Sequence, residues 1–414
     1  MSETERTLTE REMRQIEQWA HRTRLDEMLS FFETLPRFLV TPRPVLLGSN
    51  NASEILVEGF LSKRMVISAI SNLDEPFNSN LILQKTLMAE RRETNLGIME
   101  PIYRGLANGF EKVCLAEGLG GCRGKIVRAH TLQKAAFESH AREGHVYEID
   151  PFKVGSAGHW PTLIGIHKAT TLTGFCEYHD GTLFRPIETE QFDSQPQQFF
   201  MHHYRAVALA FYYRAYKAKV LEEAYVEISK GPGAGSLKQF AERIDINKVE
   251  TEELRRHKSI YEQHIQARNW SSVEGFALLG KRVPDVFAAD FFAPRKNLQG
   301  EFVQNNKSTL PLSWLSLTVT ATADDRALVL LCAEKGSSLL ASCIRSLRRL
   351  PRDRRTMAVV KYVVCQLENF IMLPTWWETL GDRTQRQFVN AYDSRYFPRE
   401  LPHVCEWGLA EVRV

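Results

Sequence analysis

From Thr9 to Leu35 the apolar residues Met13, Ile16, Trp19, Leu25, Met28, Leu29 and Phe32 recur at three- and four-residue steps with charge between them, the period of an amphipathic helix. Pro36, Pro42 and Pro44 end it. Leu81 to Arg92 and Ile98 to Ala116 continue the helical pattern, while Ser53 to Ser71 fits helix or strand, so residues 1–110 read as a helical N-terminal region. A second helical stretch runs from Phe199 to Ser229 and a third from about Asn247 to Arg268. Between them lies the glycine run Lys230 to Ser236, read as a flexible link because no strand precedes it and no Gly-Lys-Ser/Thr follows. Residues 196–275 therefore form a long-helix region.

The period changes beyond Phe276. Trp314 to Ala323 and Arg326 to Cys332 are β-rich runs joined by Asp324-Asp325, the pattern of an antiparallel hairpin. Helical patterns follow over Ser337 to Leu350 and Thr356 to Phe370. Residues 276–414 are thus expected to be a C-terminal α+β domain.

Residues 111–195 have too little apolar periodicity for a core of their own and are rich in turn formers. Gly118, Gly120, Gly121 and Gly124 surround Cys122, a composition that lets backbone wrap tightly around a thiolate. Lys125 to Arg128 favours strand, Leu132 to Arg142 a short helix and His145 to Asp150 a strand, followed by a glycine-containing loop at Gly155 to Gly158. Cys122 with His130 makes a Cys-x7-His pair, and Cys176 with His179 makes a Cys-x2-His pair. Together they supply the four soft or borderline donors that a closed tetrahedral Zn²⁺ takes, and such an ion would replace the missing core. Cys122, His130, Cys176 and His179 are therefore the expected ligands. Cys114, His140, His145, His159 and His167 are nearby substitutes, with Cys114 the strongest because Cys-x7-Cys can also bracket a metal.

Length and composition narrow the class. A chain of 414 residues suggests two or three domains, and 43% hydrophobic with 25% charged residues is a globular balance. A net charge of +3 is too even for nucleic acid to be bound across the whole surface. Seven cysteines, an odd number at irregular spacing, do not make a disulfide framework and fit a reducing cytoplasm. The N-terminus MSETERTLTEREMRQ is too charged for a secretory signal, and the apolar runs at Ala327 to Ala333 and Met357 to Val364 are too short to span a bilayer, so no membrane contact is expected.

Beyond the metal, three sets of residues carry chemistry. His167 or His179 with Asp180 and Glu188 could form a catalytic set, since a carboxylate beside imidazole fixes its tautomer and can hold a second metal. Against this, Asp180 also suits a turn and Glu188 a pairing with a neighbour such as Arg185. Arg345, Arg348, Arg349, Arg352, Arg354 and Arg355 form the densest basic segment and could neutralise several phosphates of DNA or RNA, or simply end a solvated helix. Tyr212, Tyr213 and Tyr216 beside Arg214, Lys217 and Lys219 could stack on bases, or pack helix against helix. Gly-x-Ser-x-Gly, His-Glu-x-x-His and Walker motifs are absent from the sequence, which removes the common hydrolase and nucleotide-triphosphatase readings.

Cys122, then Ala129 to Lys134 (AHTLQK), Gly144 to Tyr147 (GHVY) and Gly174 to Glu188 (GFCEYHDGTLFRPIE) resemble a family of uncharacterised bacterial zinc-binding proteins, and Glu368-Asn369 with Pro374 to Leu380 resembles its C-terminal part. A weaker similarity links the first half to HNH-type treble-clef nucleases, in which a zinc knuckle supports a hairpin bearing a catalytic histidine. Here Ala129-His130 stands where Asp-His is expected. Taken together, the patterns predict an α+β protein, mainly helical, with a central treble-clef-like zinc module and a C-terminal α+β domain. The expected work is on nucleic acid, binding with or without the cleavage that the weaker HNH similarity implies, and the family's resemblance to proteins of unassigned bacterial systems suggests a place in antiphage defence. The competing reading is a non-catalytic interaction protein with a purely structural zinc, forming a homo-oligomer or gripping a protein partner.

Overall fold

Leu315, Leu317 and Val319 alternate with Ser316, Thr318 and Thr320 along one strand, and every one of them is buried. Period-two alternation with both sets covered means that this strand lies inside a sheet packed on two faces. The computed structural model describes residues 112–149, 160–229, 237–304, 312–394 and 406–412. The helical region expected over residues 1–110, the loop Gly155 to Gly158 and the link Lys230 to Ser236 lie outside the described residues. The chain divides into two units, residues 1–97 with 228–238 and residues 98–227 with 239–414, and the sheets and candidate site belong to the second.

Strands β1 (Ile126–His130) and β4 (Thr171–Cys176) pair with each other alone. The remaining strands are β2 (His145–Glu148), β3 (Thr162–Gly165), β5 (Val273–Leu279), β6 (Val286–Phe292), β7 (Leu315–Ala321), β8 (Ala327–Glu334), β9 (Phe370–Met372) and β10 (Ala410–Glu411). They build one eight-stranded antiparallel sheet in the order β10-β5-β8-β7-β6-β9-β2-β3. The hairpin read around Asp324-Asp325 is β7 with β8, and Asp325 takes the left-handed conformation the turn needs, at φ 57°. The mixed α+β class is therefore present, organised around this sheet.

Among the described residues the helices are α1 (Ala135–Glu138), α2 (Glu177–Leu183), α3 (Arg185–Glu188), α4 (Pro196–Ser229), α5 (Leu237–Gln266), α6 (Ser338–Arg349), α7 (Arg352–Gln366), α8 (Pro374–Trp377) and α9 (Asp382–Ser394). Among the described residues no helix is long and apolar enough to cross a membrane. The side chain of Ser337 caps α6 by accepting the Leu340 N–H at 3.3 Å. One face of the sheet, with Leu315, Leu317, Val319, Val329 and Leu331, packs in a single apolar cluster with Leu340, Cys343 and Leu347 of α6, Val359 and Val363 of α7 and Phe388 of α9. On the opposite face, Leu328, Leu330 and Cys332 share a cluster with Phe200, Tyr204 and Val207 of α4 and Leu254 and Tyr261 of α5. Each such side chain, fully buried, contributes about 1.5–3 kcal/mol.

Two contacts show how closely α4 approaches the sheet. A Cβ on Gly275 of β5 would stand 2.0 Å from the Phe199 ring, so only glycine fits there. His203 meets Ser316 of β7 through Nδ1 at 2.8 Å, and burial pulls its imidazole down to about 3, keeping it neutral. Helices α4 and α5 run antiparallel, tied by Arg214 to Glu250 at 3.2 Å and by the Tyr204 hydroxyl donating to Glu262 at 3.1 Å.

Candidate metal centre

Cys114 leads into a turn held by Leu115 N–H on the carbonyl of Gly174 at 2.7 Å, which ties the segment to β4. A single 3₁₀ turn, Glu117–Leu119, follows, and then Gly120, Gly121 and Gly124 all take positive φ, from 73° to 75°. These three residues turn the backbone around Cys122 as only glycine does at little cost. Gly124 is doubly constrained, because a Cβ there would also lie 2.4 Å from the Glu177 carboxylate. The knuckle is stitched to the start of α2 by Glu177 N–H on Lys125 O at 3.0 Å and Tyr178 N–H on Arg123 O at 3.3 Å.

Strand β4 delivers the other half. Cys176 ends the strand and serves as the N-terminal flanking residue of α2, and His179 lies in the first helical turn. The edge-to-face pair Phe175 and Phe184, with ring centres 5.0 Å apart, fixes the strand against the end of α2 beneath the site.

Four donor atoms converge. His179 Nδ1 lies 3.3 Å from Cys114 Sγ, 3.6 Å from Cys122 Sγ and 3.4 Å from Cys176 Sγ, and all four atoms are within 4.8 Å of one another. Zinc–sulfur bonds of ~2.3 Å and a zinc–nitrogen bond of ~2.0 Å, at tetrahedral angles, place sulfur and nitrogen about 3.5 Å apart. One imidazole nitrogen cannot donate to three sulfurs, so three near-equal distances describe the edges of a coordination shell better than a hydrogen-bond set. Cys114, Cys122, Cys176 and His179 are close enough to hold a metal ion, with three buried and Cys122 exposed.

The electrostatics differ from donor to donor. Burial pushes the Cys114 thiol up to about 12. Burial pulls Cys176 upward as well, yet backbone contacts from His179 and Arg123 and its neighbouring sulfurs hold it below the ordinary thiol value. Burial lowers His179 and so favours the neutral ring that a metal requires, while a hydrogen bond to the Gly120 backbone and the Glu262 carboxylate act in the opposite direction. Glu262 also accepts from Lys258 at 2.6 Å and from Tyr204, and it reaches the knuckle at Gly118.

Of the four ligands expected from the sequence, the structure brings Cys122, Cys176 and His179 together and places His130 elsewhere. The register of the β1 and β4 pair explains this. Ile126 faces Cys176, whereas His130 faces Thr171 at the other end of the hairpin, roughly 13 Å along the strand at 3.3 Å per residue. There His130 Nε2 meets the Ile166 carbonyl at 3.1 Å, and burial lowers its pKa. Cys114 occupies the position it leaves. Its signal in the sequence was the Cys-x7-Cys spacing ahead of the glycine cluster, which counts for more than the strand-borne Cys-x7-His because a strand carries its far end away.

The other expected residues are distributed as follows. His167 is exposed in the turn after β3. Asp180 is half-buried, with its carboxyl raised by burial, lowered by Arg205 and raised by Glu188. Glu188 is ion-paired with Arg205 of α4 rather than with Arg185. Arg205 is itself buried, with its guanidinium 4.2 Å above the Phe184 ring. Asp180, Glu188 and Arg205 thus share one neighbourhood. In the basic segment, Arg348 forms an ion pair with Glu411 at 3.1 Å, Arg349 lies 3.7 Å from Glu301, and Arg355 is buried. Arg345, Arg352 and Arg354 are exposed. Tyr212 donates to or accepts from Thr173 of β4 at 3.0 Å, and Tyr216 is buried on α4.

No family model matches the chain, and comparison with curated proteins and with solved structures gives no match.

Proposed function

We propose that this is a zinc-binding protein in which the ion is structural, closed by Cys114, Cys122, Cys176 and His179. The observation that carries the reading is the set of three sulfur-to-nitrogen distances of 3.3, 3.4 and 3.6 Å around one imidazole. Three thiolates and one imidazole suit a borderline-soft ion, and four protein donors leave no position for a reacting water. The order of elements supports a treble-clef-like module: a glycine knuckle, strands β1 and β4, then a helix whose first turn supplies the last donor. Zinc would join the knuckle to the start of α2, above the apolar cluster that holds Leu115, Phe175 and Phe184. A non-catalytic interaction protein, acting through a partner or a second copy of the chain, follows from that closed shell more directly than a nuclease does.

The test is metal content. Protein purified without added metal should contain one zinc per chain by elemental analysis. Replacement by Co²⁺ should give the visible absorption of a tetrahedral, thiolate-rich site. Metal-free protein that neither retains nor takes up zinc would overturn the reading.

A second reading, nucleic-acid binding, is favoured by the exposure of Arg345, Arg352 and Arg354 around the turn between α6 and α7. It predicts salt-dependent retention of single- or double-stranded DNA or RNA that weakens when all three are changed to Ala. Binding unaffected by the triple change would remove this surface from consideration.

A further inference from the structure

A cavity of about 640 Å³ is walled by α1, α4, β7 and the stretch 187–192, and none of the four metal donors lines it. Arg205 of α4 stands in this wall, only 5% exposed. One face of its guanidinium is covered by the Phe184 ring, and Nη2 pairs with Glu188. Neither Nη1 nor the buried Nε makes a hydrogen bond to the described residues. A guanidinium carries five donors, and burying it with one partner leaves it short of acceptors that a polar molecule in the cavity can supply.

The facing wall is of the same kind. Leu317 and Val319 of β7 belong to the apolar cluster with α6 and α7, so strand alternation turns Thr318 and Thr320 to the opposite face, where both line the cavity. Both are buried, and neither hydroxyl makes a hydrogen bond among the described residues. Ser316, next on that face, is by contrast engaged by His203. His202, three residues before Arg205 on α4, also lines the cavity without a hydrogen-bond partner among the described residues. Burial, then the charge of Arg205, pulls its imidazole down to about 3, so the ring is neutral, with one donor and one acceptor.

Charge then selects the class of ligand. Glu188 balances Arg205 and His202 is uncharged, so the interior has no net charge to offer an ion. Glu190, Asp324 and Asp325 line the cavity at exposed positions, and Glu190 has no cation beside it among the described residues, which opposes a phosphate. Hydroxyl groups, each donor and acceptor at once, match a wall of guanidinium, threonine and neutral imidazole, and Phe192 adds an apolar ring. We infer that this cavity binds an uncharged polyhydroxylated ligand, a sugar either free or as the ribose of a nucleoside, held between Arg205 and His202 of α4 and Thr318 and Thr320 of β7.

The experiment is calorimetric titration of the full chain with D-ribose, with adenosine and with the 5′-phosphate of each. Wild type should bind ribose or adenosine at millimolar concentration or below, and the tighter of the two distinguishes a free sugar from a nucleoside. The 5′-phosphate of whichever binds should bind several-fold more weakly than its parent. Changing Thr318 and Thr320 together to Val keeps a β-branched residue of the same shape at both strand positions and removes only the hydroxyls. This double variant should weaken binding about tenfold, as for the loss of two hydrogen bonds. His202→Phe should also weaken it. Both variants leave the pair of Glu188 and Arg205 in place. The proposal is overturned if neither ribose nor adenosine binds the wild type at millimolar concentration, if the 5′-phosphates bind as tightly as their parents, or if both variants bind as wild type does.

Discussion

His179 Nδ1 lies 3.3 Å from the sulfur of Cys114, 65 residues earlier in the chain, whereas His130 faces away at the far end of the β1 and β4 hairpin. This relationship assigns the fourth donor to a thiol and separates two substitutions that the sequence alone would treat alike.

Cys114→Ser should abolish zinc retention, while His130→Ala should leave one zinc per chain. Loss of a ligand should exceed the ten- to hundredfold change in affinity typical of residues that merely orient ligands, so a weakening beyond about a hundredfold is expected. Competition with a chromogenic chelator measures it. If His130→Ala releases the metal and Cys114→Ser keeps it, the coordination shell described above is wrong.

The hairpin explains how much of the site could be read from residues in order. Cys176 and His179 fall within one turn, so their spacing alone determines that they can meet. Cys122 sits among glycines whose positive φ was implied by composition. The fourth donor depended on register, and no local spacing reveals that β1 begins opposite Cys176 and carries His130 away from it. The same distinction holds for the fold. The β7 and β8 hairpin follows from alternation around Asp324-Asp325, and α4, α6 and α7 follow from helical periodicity. That β2 and β3, from the zinc-bearing stretch, complete a sheet otherwise built after residue 273 could not be read, because it depends on pairing across some two hundred residues. The pairing of Glu188 with Arg205, in place of the neighbouring Arg185, is a further tertiary choice of this kind.

Gly124→Ala should loosen the knuckle. The position has φ +75°, and an added Cβ would meet the Glu177 side chain at 2.4 Å, so strain and a steric shift act together. A cost of about 1–3 kcal/mol is expected, lowering zinc affinity by one to two orders of magnitude if the strain falls on the metal-bound form. Gly120→Ala, where nothing lies within 4 Å of the added Cβ, should cost less. Metal competition on the two variants gives the comparison, and equal losses would show that contact with Glu177 is unimportant.

Glu188 should prove to be a stabilising residue. Its partner Arg205 has a side chain only 6% exposed, so Glu188→Gln leaves a buried cation without its counter-charge. Because Glu188 itself is 30% exposed, the cost should fall below the 3–5 kcal/mol of a fully buried pair, at about 2 kcal/mol by urea unfolding. Arg205→Met retains an apolar stem against Phe184, so the double variant should be less destabilised than the sum of the single changes. Simple additivity in this cycle would mean that the two charges do not interact.

Asp290 gives the fold a pH dependence of its own. Its carboxylate accepts the N–H of Phe291 at 2.8 Å and that of Glu368 at 3.0 Å, yet burial, the dominant influence, raises its pKa from 3.8 to about 6. The folded protein therefore holds this proton more tightly than the unfolded chain does. Below pH 3.8 both states are protonated and Asp290 contributes nothing to the pH dependence. As pH rises from there through about 6, the folded state must ionise a buried group and loses stability relative to the unfolded chain. The contribution of Asp290 should fall by about 3 kcal/mol in all and level off about one pH unit above 6. Other carboxylates titrate in the same range, so the difference between wild type and Asp290→Asn isolates the effect. Urea unfolding of both at pH 4, 5, 6 and 7 should show wild type losing stability relative to Asp290→Asn as pH rises, with the loss levelling off near pH 7. A gap independent of pH from 4 to 7 would mean that Asp290 has an ordinary carboxyl pKa in the folded protein.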